Sequence, residues 1–427
     1  MKIFSLTTLA IIAFIFMNCT EPVPEKLEQK KVILKTARDF NYKMEIEEKL
    51  LRVQKFIAAA KLDGILLTQV RNVYWITAGL ANNQIVLNKD VGAASLLILK
   101  NGKKYLVCSN AEDQRMMDES LSQLGYELIK YNWYEANPVK DVRGDSIKQF
   151  GKIGSDIDFP GTINISDKFK PLRYSFNDYE IIRYAYVAQL AAEAVAEVCI
   201  KIKPGMNEFE IETITANALR DRQLLPTVLL TAVDERIYNY RHALPAGAVL
   251  KNYAMINICA EKWGMPIAVT RFVHFGTLPE ELKTKLEKTA VVNAYYQEFT
   301  RPGVAASEIF DKMQEWYKSV GYENEWMLHH QGGAIGYDDR EWVIFPGIKE
   351  VVKTNQSFAW NPTITGTKVE ETIIVNEKGF EVLTKSPNWP MIIVNLNGKK
   401  YPQPSILIRD NESFGLIQTQ DYEINAE

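Results

Sequence analysis

The chain has only four histidines, and three of them stand in stretches that could do chemistry. His242 lies in Arg241-His242-Ala243-Leu244-Pro245, and His329 and His330 are adjacent in His329-His330-Gln331-Gly332-Gly333. An imidazole changes charge near neutral pH, so each ring could take or give a proton, or bind an ion or a polar ligand. The glycine pair after His330 lets backbone approach a ligand closely. On a strand, the two adjacent rings would face opposite sides, so at most one would enter a pocket, and they are equal candidates. His274 has no motif around it and reads as structural.

Four segments of the C-terminal half fall into an ordered pattern. The strand-like run Tyr253-Ala254-Met255-Ile256 leads into Asn257, and eleven positions on stands Ala268, before Val269-Thr270-Arg271. Gly333 follows the histidine pair, Asn361 stands in Phe358-Ala359-Trp360-Asn361-Pro362, and Glu370 in Lys368-Val369-Glu370-Glu371-Thr372. This order resembles the family of methionine aminopeptidases, prolidase, aminopeptidase P and creatinase, whose catalytic domain is the pita-bread fold. In the active peptidases of that family, Asp, Asp, His, Glu and Glu hold two divalent metals. The resemblance puts these five ligand positions at Asn257, Ala268, Gly333, Asn361 and Glu370, and four of the five carry the wrong residue.

Two closely spaced dications need several carboxylates to offset and bridge them. Neutral amide oxygens at Asn257 and Asn361 bind hard cations weakly and do not bridge. Ala268 and Gly333 offer no side-chain donor. The expectation is therefore a family member without the two-metal mechanism and without a cofactor. A weaker single-ion site, built from His329, His330, Asp338 or Asp339, is the form in which displaced ligands would survive.

The resemblance also implies roles for what remains. His242, fifteen residues before Asn257, falls where the family has an active-site histidine. In creatinase, a metal-free hydrolase, that residue is the acid/base. Arg340 replaces a second family histidine and would bring a fixed positive charge to the rim. Arg271 matches the family's Thr-Arg pair and reads as a structural ion-pair partner. With Glu370, Asn257 and Asn361, these residues describe a pocket of imidazole, carboxylate, amide and guanidinium. It suits a carboxylate-bearing or amide ligand better than a pair of metals. Trp360 and Tyr337 would serve either as its walls or as core.

Three functions follow, in order of preference. The first is binding of a peptide or small-molecule ligand without turnover. The second is metal-free C–N hydrolysis, with His242 as acid/base and Glu370 orienting it or the substrate. The third is an Xaa-Pro aminopeptidase or prolidase using displaced ligands.

The rest of the chain must position these groups. Residues 1–18 read as a secretion signal, with Lys2, an apolar run from Leu6 to Met17, and then Cys19 as a bacterial lipoprotein acylation site. An ordinary cleaved signal or a short membrane anchor is the alternative. Residues 19–41 would be a flexible leader, making the protein exported and anchored on the periplasmic or outer face. Removing 1–18 moves the net charge from −3 to −4, and the absence of a basic run argues against nucleic acid as a partner. Cys108, Cys199 and Cys259 sit in apolar runs and read as buried free thiols.

Residues 42–175 open with a helical period from Met44 to Ala60, with an apolar stripe of Leu50, Leu51, Val53, Phe56, Ile57 and Ala60. Strand-like pieces follow, including 64–67, 73–76 and a hairpin around Lys100-Asn101-Gly102-Lys103. This resembles the α/β N-terminal domain of creatinase and prolidase, which implies a homodimer. Residues 176–388 begin at a cap, Asn177 with Glu180 three positions on, and alternate helices and strands. The overall class expected is α+β, a curved and largely antiparallel sheet covered by helices. Residues 389–427 form a C-terminal extension whose apolar run Met391–Val394 predicts added strand structure.

Overall fold

The structure is a computed structural model that describes residues 34–139, 141–418 and 420–426. The signal segment, Cys19 and most of the leader lie outside these residues. The end of the leader is packed rather than free. Ala37 is buried in a short turn, and the Phe40 ring meets Trp263 edge-on at 5.6 Å.

Residues 64–164 build a six-stranded mixed sheet. Its centre, Gly64–Gln69, pairs antiparallel with Val91–Leu99 and parallel with Ile153–Ser155. The expected hairpin is present, with Gly102 at φ +87° turning the chain so that Ile98 faces Lys104. The segment 73–76 corrects an expectation. It lies in a helix, Val70–Ile76, whose Val73, Trp75 and Ile76 are buried. A short apolar run has no period long enough to separate strand from helix.

The first helix, Tyr42–Ala59, also departs from the expected stripe. Val53 and Ile57 are buried, but Leu51 is 58 % exposed, while Glu45 and Lys49 are fully buried. Each charge has partners. Lys49 Nζ lies 2.6 Å from Glu45 and 2.7 Å from Glu180, and Arg183 Nη2 lies 2.6 Å from Glu45. The Tyr337 hydroxyl donates to Glu180 Oε1 at 2.8 Å and accepts from Arg183 Nη2 at 2.8 Å. Two carboxylates and two cations thus neutralise one another in a fully buried cluster, where breaking one pair would leave an unpaired charge.

The helix Asp178–Lys201 starts at the expected cap. Asn177 accepts from Glu180 N, and Glu180 reaches back to Asn177 N, both at 2.9 Å. Tyr184, Ala188, Ala191, Val195 and Val198 bury its inner face. Asn207 and Glu210 repeat the same box for Glu208–Asp221.

Two five-stranded sheets follow. In the first, Leu225–Val233, Tyr253–Lys262 and Met265–Phe275 run antiparallel. Leu407–Arg409 of the C-terminal extension joins its edge in parallel, so the tail is part of this sheet. The second is antiparallel, in the order Trp342–Val343, Gly332–Ile335, Gln356–Trp360, Glu371–Asn376, Gly379–Val382. The sheets touch where the Thr372 hydroxyl donates to Ala268 O at 2.8 Å and Ala268 N donates back at 3.1 Å. Helices Glu280–Phe299 and Ala306–Ser319 cover the main core, packing Trp316 and Tyr317 toward Trp360. From Thr36 on, the chain forms one compact unit. Among the described residues no helix is long and apolar enough to cross a membrane.

Candidate functional site

A cavity of about 510 Å³ opens where the two sheets meet. Its walls include Val228, Leu229, Leu230 and Leu244, and its polar groups are His242, Asn257, His330, Asp339, Arg340, Asn361, Lys368 and Glu370. The sequence-predicted residues therefore converge, although more than a hundred positions separate His242 from Glu370.

Asn257 and Thr270 are opposite one another on adjacent strands. The Asn257 amide nitrogen donates to Thr270 Oγ1 at 2.8 Å and to Glu370 Oε2 at 2.6 Å, and the Thr270 hydroxyl donates to the same Glu370 oxygen at 2.6 Å. The Asn257 amide thus presents its nitrogen, not its oxygen, to Glu370. Arg340 Nη2 stands 3.7 Å from Glu370 Oε1, and Lys368 Nζ stands 4.0 Å from Oε2.

The other predicted positions have their own surroundings. Ala268 is fully buried in an apolar cluster with Cys259, Ile335 and Ala359. At Gly333 a Cβ atom would come 2.1 Å from the Trp342 carbonyl oxygen, so the strand pairing leaves no room for a side chain. Asn361 is buried, and its Oδ1 has no hydrogen-bond partner among the described residues.

The loop that carries His242 is anchored from below. Asp234 accepts from the backbone nitrogens of Lys251, Asn252 and Tyr253, and Glu208 accepts from those of Ala246 and Ala248. Arg241 pairs with Glu325 at 2.7 Å and donates to Thr365 Oγ1. His242 Nε2 then meets His329 Nε2 at 2.9 Å, so one ring donates and the other accepts.

The expected opposition of His329 and His330 does not occur. Their rings stack with centroids 4.4 Å apart, because both residues precede the strand that starts at Gly332. His330 lines the cavity, and His329 is buried behind His242. One ligand atom from each of the three rings lies within 4.8 Å of the others, a grouping that could hold an ion.

Burial, and after it the charge of Lys368, holds His242 and His329 below the ordinary imidazole range. Burial and then Arg340 push His330 down to about 4. All three shifts favour the neutral ring. Burial also pushes the Cys259 thiol up to about 12, which makes it inert. Cys108 and Cys199 are likewise free and buried.

The loop bearing Asp339 and Arg340 is tied to the N-terminal segment. Asp338 pairs with Arg71, and Arg173 grips Glu341 at 3.1 and 2.7 Å. Tyr337 and Trp360 are core, not pocket wall. Tyr337 belongs to the buried charge network, and Trp360 donates to Thr300 Oγ1 at 3.0 Å. Arg271 has the expected structural role, 2.7 Å from Glu371. His274 is buried, its Nδ1 3.2 Å from Gly276 O.

Lys368 is the pocket residue that sequence reasoning missed. Its signal was alternation: a lysine two positions before Glu370 in an extended run shares that residue's face.

The profile of metallopeptidase family M24 matches residues 182–377, which hold every one of these pocket residues. Residues 182–377 form a family M24 domain. Among curated relatives, the Xaa-Pro dipeptidase of Pyrococcus horikoshii is 22 % identical over 370 residues, covering 80 % of this chain and 98 % of its own. An uncharacterised peptidase of Bacillus subtilis is 19 % identical over 374 residues, covering 81 % and 100 %. The fold is that of the Pyrococcus horikoshii prolidase structure, with a TM-score of 0.66 at 18 % identity over 79 % of this chain and 98 % of that one. Escherichia coli aminopeptidase P, solved with substrate, gives a TM-score of 0.63 at 14 % identity, covering 80 % and 95 %. The M24 domain here is thus preceded by an N-terminal segment and shares the pita-bread architecture of these enzymes.

Proposed function

We propose that this family M24 protein lacks the two-metal peptidase reaction and uses the inherited pocket to bind a peptide or small amide- or carboxylate-bearing ligand. The observation that carries this reading is the contact between Asn257 and Glu370. An amide N–H 2.6 Å from Glu370 Oε2, joined by the Thr270 hydroxyl, occupies lone pairs that a metal would need. The amide oxygen is turned away.

The other positions agree. The Ala268 methyl sits among apolar groups, Gly333 has no room for an imidazole, and two side-chain cations flank Glu370. This donor set does not fit a pair of divalent ions.

The test is metal stoichiometry by elemental mass spectrometry after purification with Mn²⁺ and Co²⁺. A value near zero supports the reading. Close to two metals per chain would overturn it and make Xaa-Pro peptides the substrates to try. One metal, lost on His329→Ala, would place a single ion on the three imidazoles.

The second reading is metal-free hydrolysis of a C–N bond, and the His242–His329 pair favours it. A neutral ring hydrogen-bonded to a second ring can take a proton and share the charge. Turnover of amide substrates in chelator-treated protein, abolished by His242→Ala, would establish it. From residues 1–18 and Cys19 we also propose an exported, lipid-anchored form, which the mass of the mature N-terminal peptide tests. A homodimer, tested by light scattering, completes the proposal.

A further inference from the structure

The reverse side of the two strands that carry Thr270 and Glu370 holds a second cavity. Thr270 and Glu370 turn toward the pocket, so their chain neighbours Arg271 and Glu371 face the opposite way. Arg271 and Glu371 line a cavity of about 840 Å³, together with Phe380, Glu381, Val382, Trp389 and Pro402. The last five lie beyond residue 377, where the family profile ends. This cavity is therefore built by the C-terminal extension and not by the family's pocket.

Phe380, Glu381 and Val382 are consecutive on one strand. Alternate side chains of a strand face opposite sides, so a cavity that meets all three lies along the strand's edge. Gly379–Val382 is the last strand of its sheet and pairs only with Glu371–Asn376. Leu383 N donates across that pair to Thr372 O at 2.9 Å. Hydrogen bonds alternate along an antiparallel pair, so the backbone N–H and C=O groups of Phe380 and Val382 point to the free edge. Such an edge is a template for one more strand. The edge strand of the small C-terminal sheet, Lys399–Pro404, also reaches the cavity, but Pro402 and Pro404 have no N–H to donate.

The walls decide which strand would fit. Phe380, Val382 and Trp389 are apolar, and the Phe380 ring stacks on Tyr401 at 5.8 Å, which fixes the extension beside the open edge. Arg271 and Glu371 neutralise each other at 2.7 Å. The remaining charges on the walls are two acids, Glu381 and Asp421, against one base, Lys385.

We propose that this groove takes an extended peptide segment of a partner protein, added as a strand to Gly379–Val382. Its basic side chains would lie toward Glu381 and Asp421, and its apolar ones against Phe380 and Trp389. Main-chain hydrogen bonds supply the affinity in this mode of recognition, and the walls supply the selectivity. The groove is separate from the pocket and does not depend on what the pocket binds.

The probe is a capped pentapeptide that alternates valine and lysine, fluorescein-labelled and titrated with the protein by fluorescence anisotropy. It should bind saturably below millimolar concentration. Replacing both lysines by glutamate should weaken it at least about tenfold, because acids then face acids. Methylating its alternate amide nitrogens removes main-chain donors and should also weaken it about tenfold or more. Val382→Pro removes an outward N–H where an edge strand accepts proline, and should weaken the peptide about tenfold. Should that variant not fold, Glu381→Lys at an exposed position reads the same groove by removing the preference for lysine over glutamate.

No saturable binding at millimolar peptide would overturn the groove. So would equal binding of the basic and acidic peptides, full affinity of the N-methylated one, or unchanged affinity in folded Val382→Pro. A second copy of this chain as the occupant would appear as concentration-dependent association that Val382→Pro abolishes and the peptide does not displace. That outcome also overturns the proposal.

Discussion

Asn257 points its amide nitrogen at Glu370, 2.6 Å from Oε2, across the line where the two sheets meet. A carboxylate at position 257 would turn the same contact into a repulsion unless a cation entered between them. The geometry at one pair of residues thus separates a pocket closed by hydrogen bonds from one held together by metal.

Asn257→Asp should therefore destabilise the protein by about 1–3 kcal/mol, the effect of replacing a buried hydrogen bond with an unsatisfied like-charge contact. Thermal unfolding with and without Mn²⁺ checks it. Recovery of the lost stability by Mn²⁺ in this single variant would mean that the remaining positions still bind metal.

Restoring the third family ligand should fail for a steric reason. Gly333→His places a Cβ atom 2.1 Å from the Trp342 oxygen, so the paired strands must part. We expect a loss of about 1–3 kcal/mol and no gain in Co²⁺ binding, read by chemical denaturation and by cobalt absorbance. A stable, cobalt-binding variant would contradict the strand geometry.

The buried charge network between helices Tyr42–Ala59 and Asp178–Lys201 should be unforgiving of single changes. Glu45→Gln leaves Arg183 and Lys49 short of one carboxylate and should cost about 3–5 kcal/mol. Burial raises the Glu45 carboxyl, but Arg183 and Lys49 outweigh it and hold the group at about 2, against 4.5 for a free carboxyl. Its stabilising share is complete above 4.5 and is lost as pH falls toward 2. An acid titration of unfolding free energy should lose that slope in Glu45→Gln.

The histidine cluster predicts a second, higher pH window. Folded His330 stays neutral down to about 4, while the unfolded chain takes up its proton near 6.5. Between those values the unfolded state binds more protons, so stability should fall with falling pH. Unfolding followed from above 6.5 down to about 4 should show this slope, and His330→Gln should reduce it. An equal slope in the variant would place the titration elsewhere.

Much of the architecture was legible in sequence because it depends on local chemistry. The caps at Asn177 and Asn207, the hairpin at Gly102 and the buried stripe from Tyr184 to Val198 each follow from residues within one or two turns of one another. Where the chain offered no period, as at 73–76, helix and strand could not be told apart. The stripe of the first helix misled because Glu45 and Lys49 are buried by partners on a helix more than a hundred residues away.

The pocket divides in the same way. Residue types set against the family's ordered pattern led to the expectation that four of five ligand positions, Asn257, Ala268, Gly333 and Asn361, lack the family's donors, that His242 and Glu370 keep theirs, and that Arg340 replaces a histidine. Only the tertiary structure decided which way the Asn257 amide turns, that His329 and His330 stack instead of diverging, and that Lys368 stands beside Glu370. The reason is physical. The donors available are a property of each residue, whereas their direction and partners depend on distances between strands far apart in the chain.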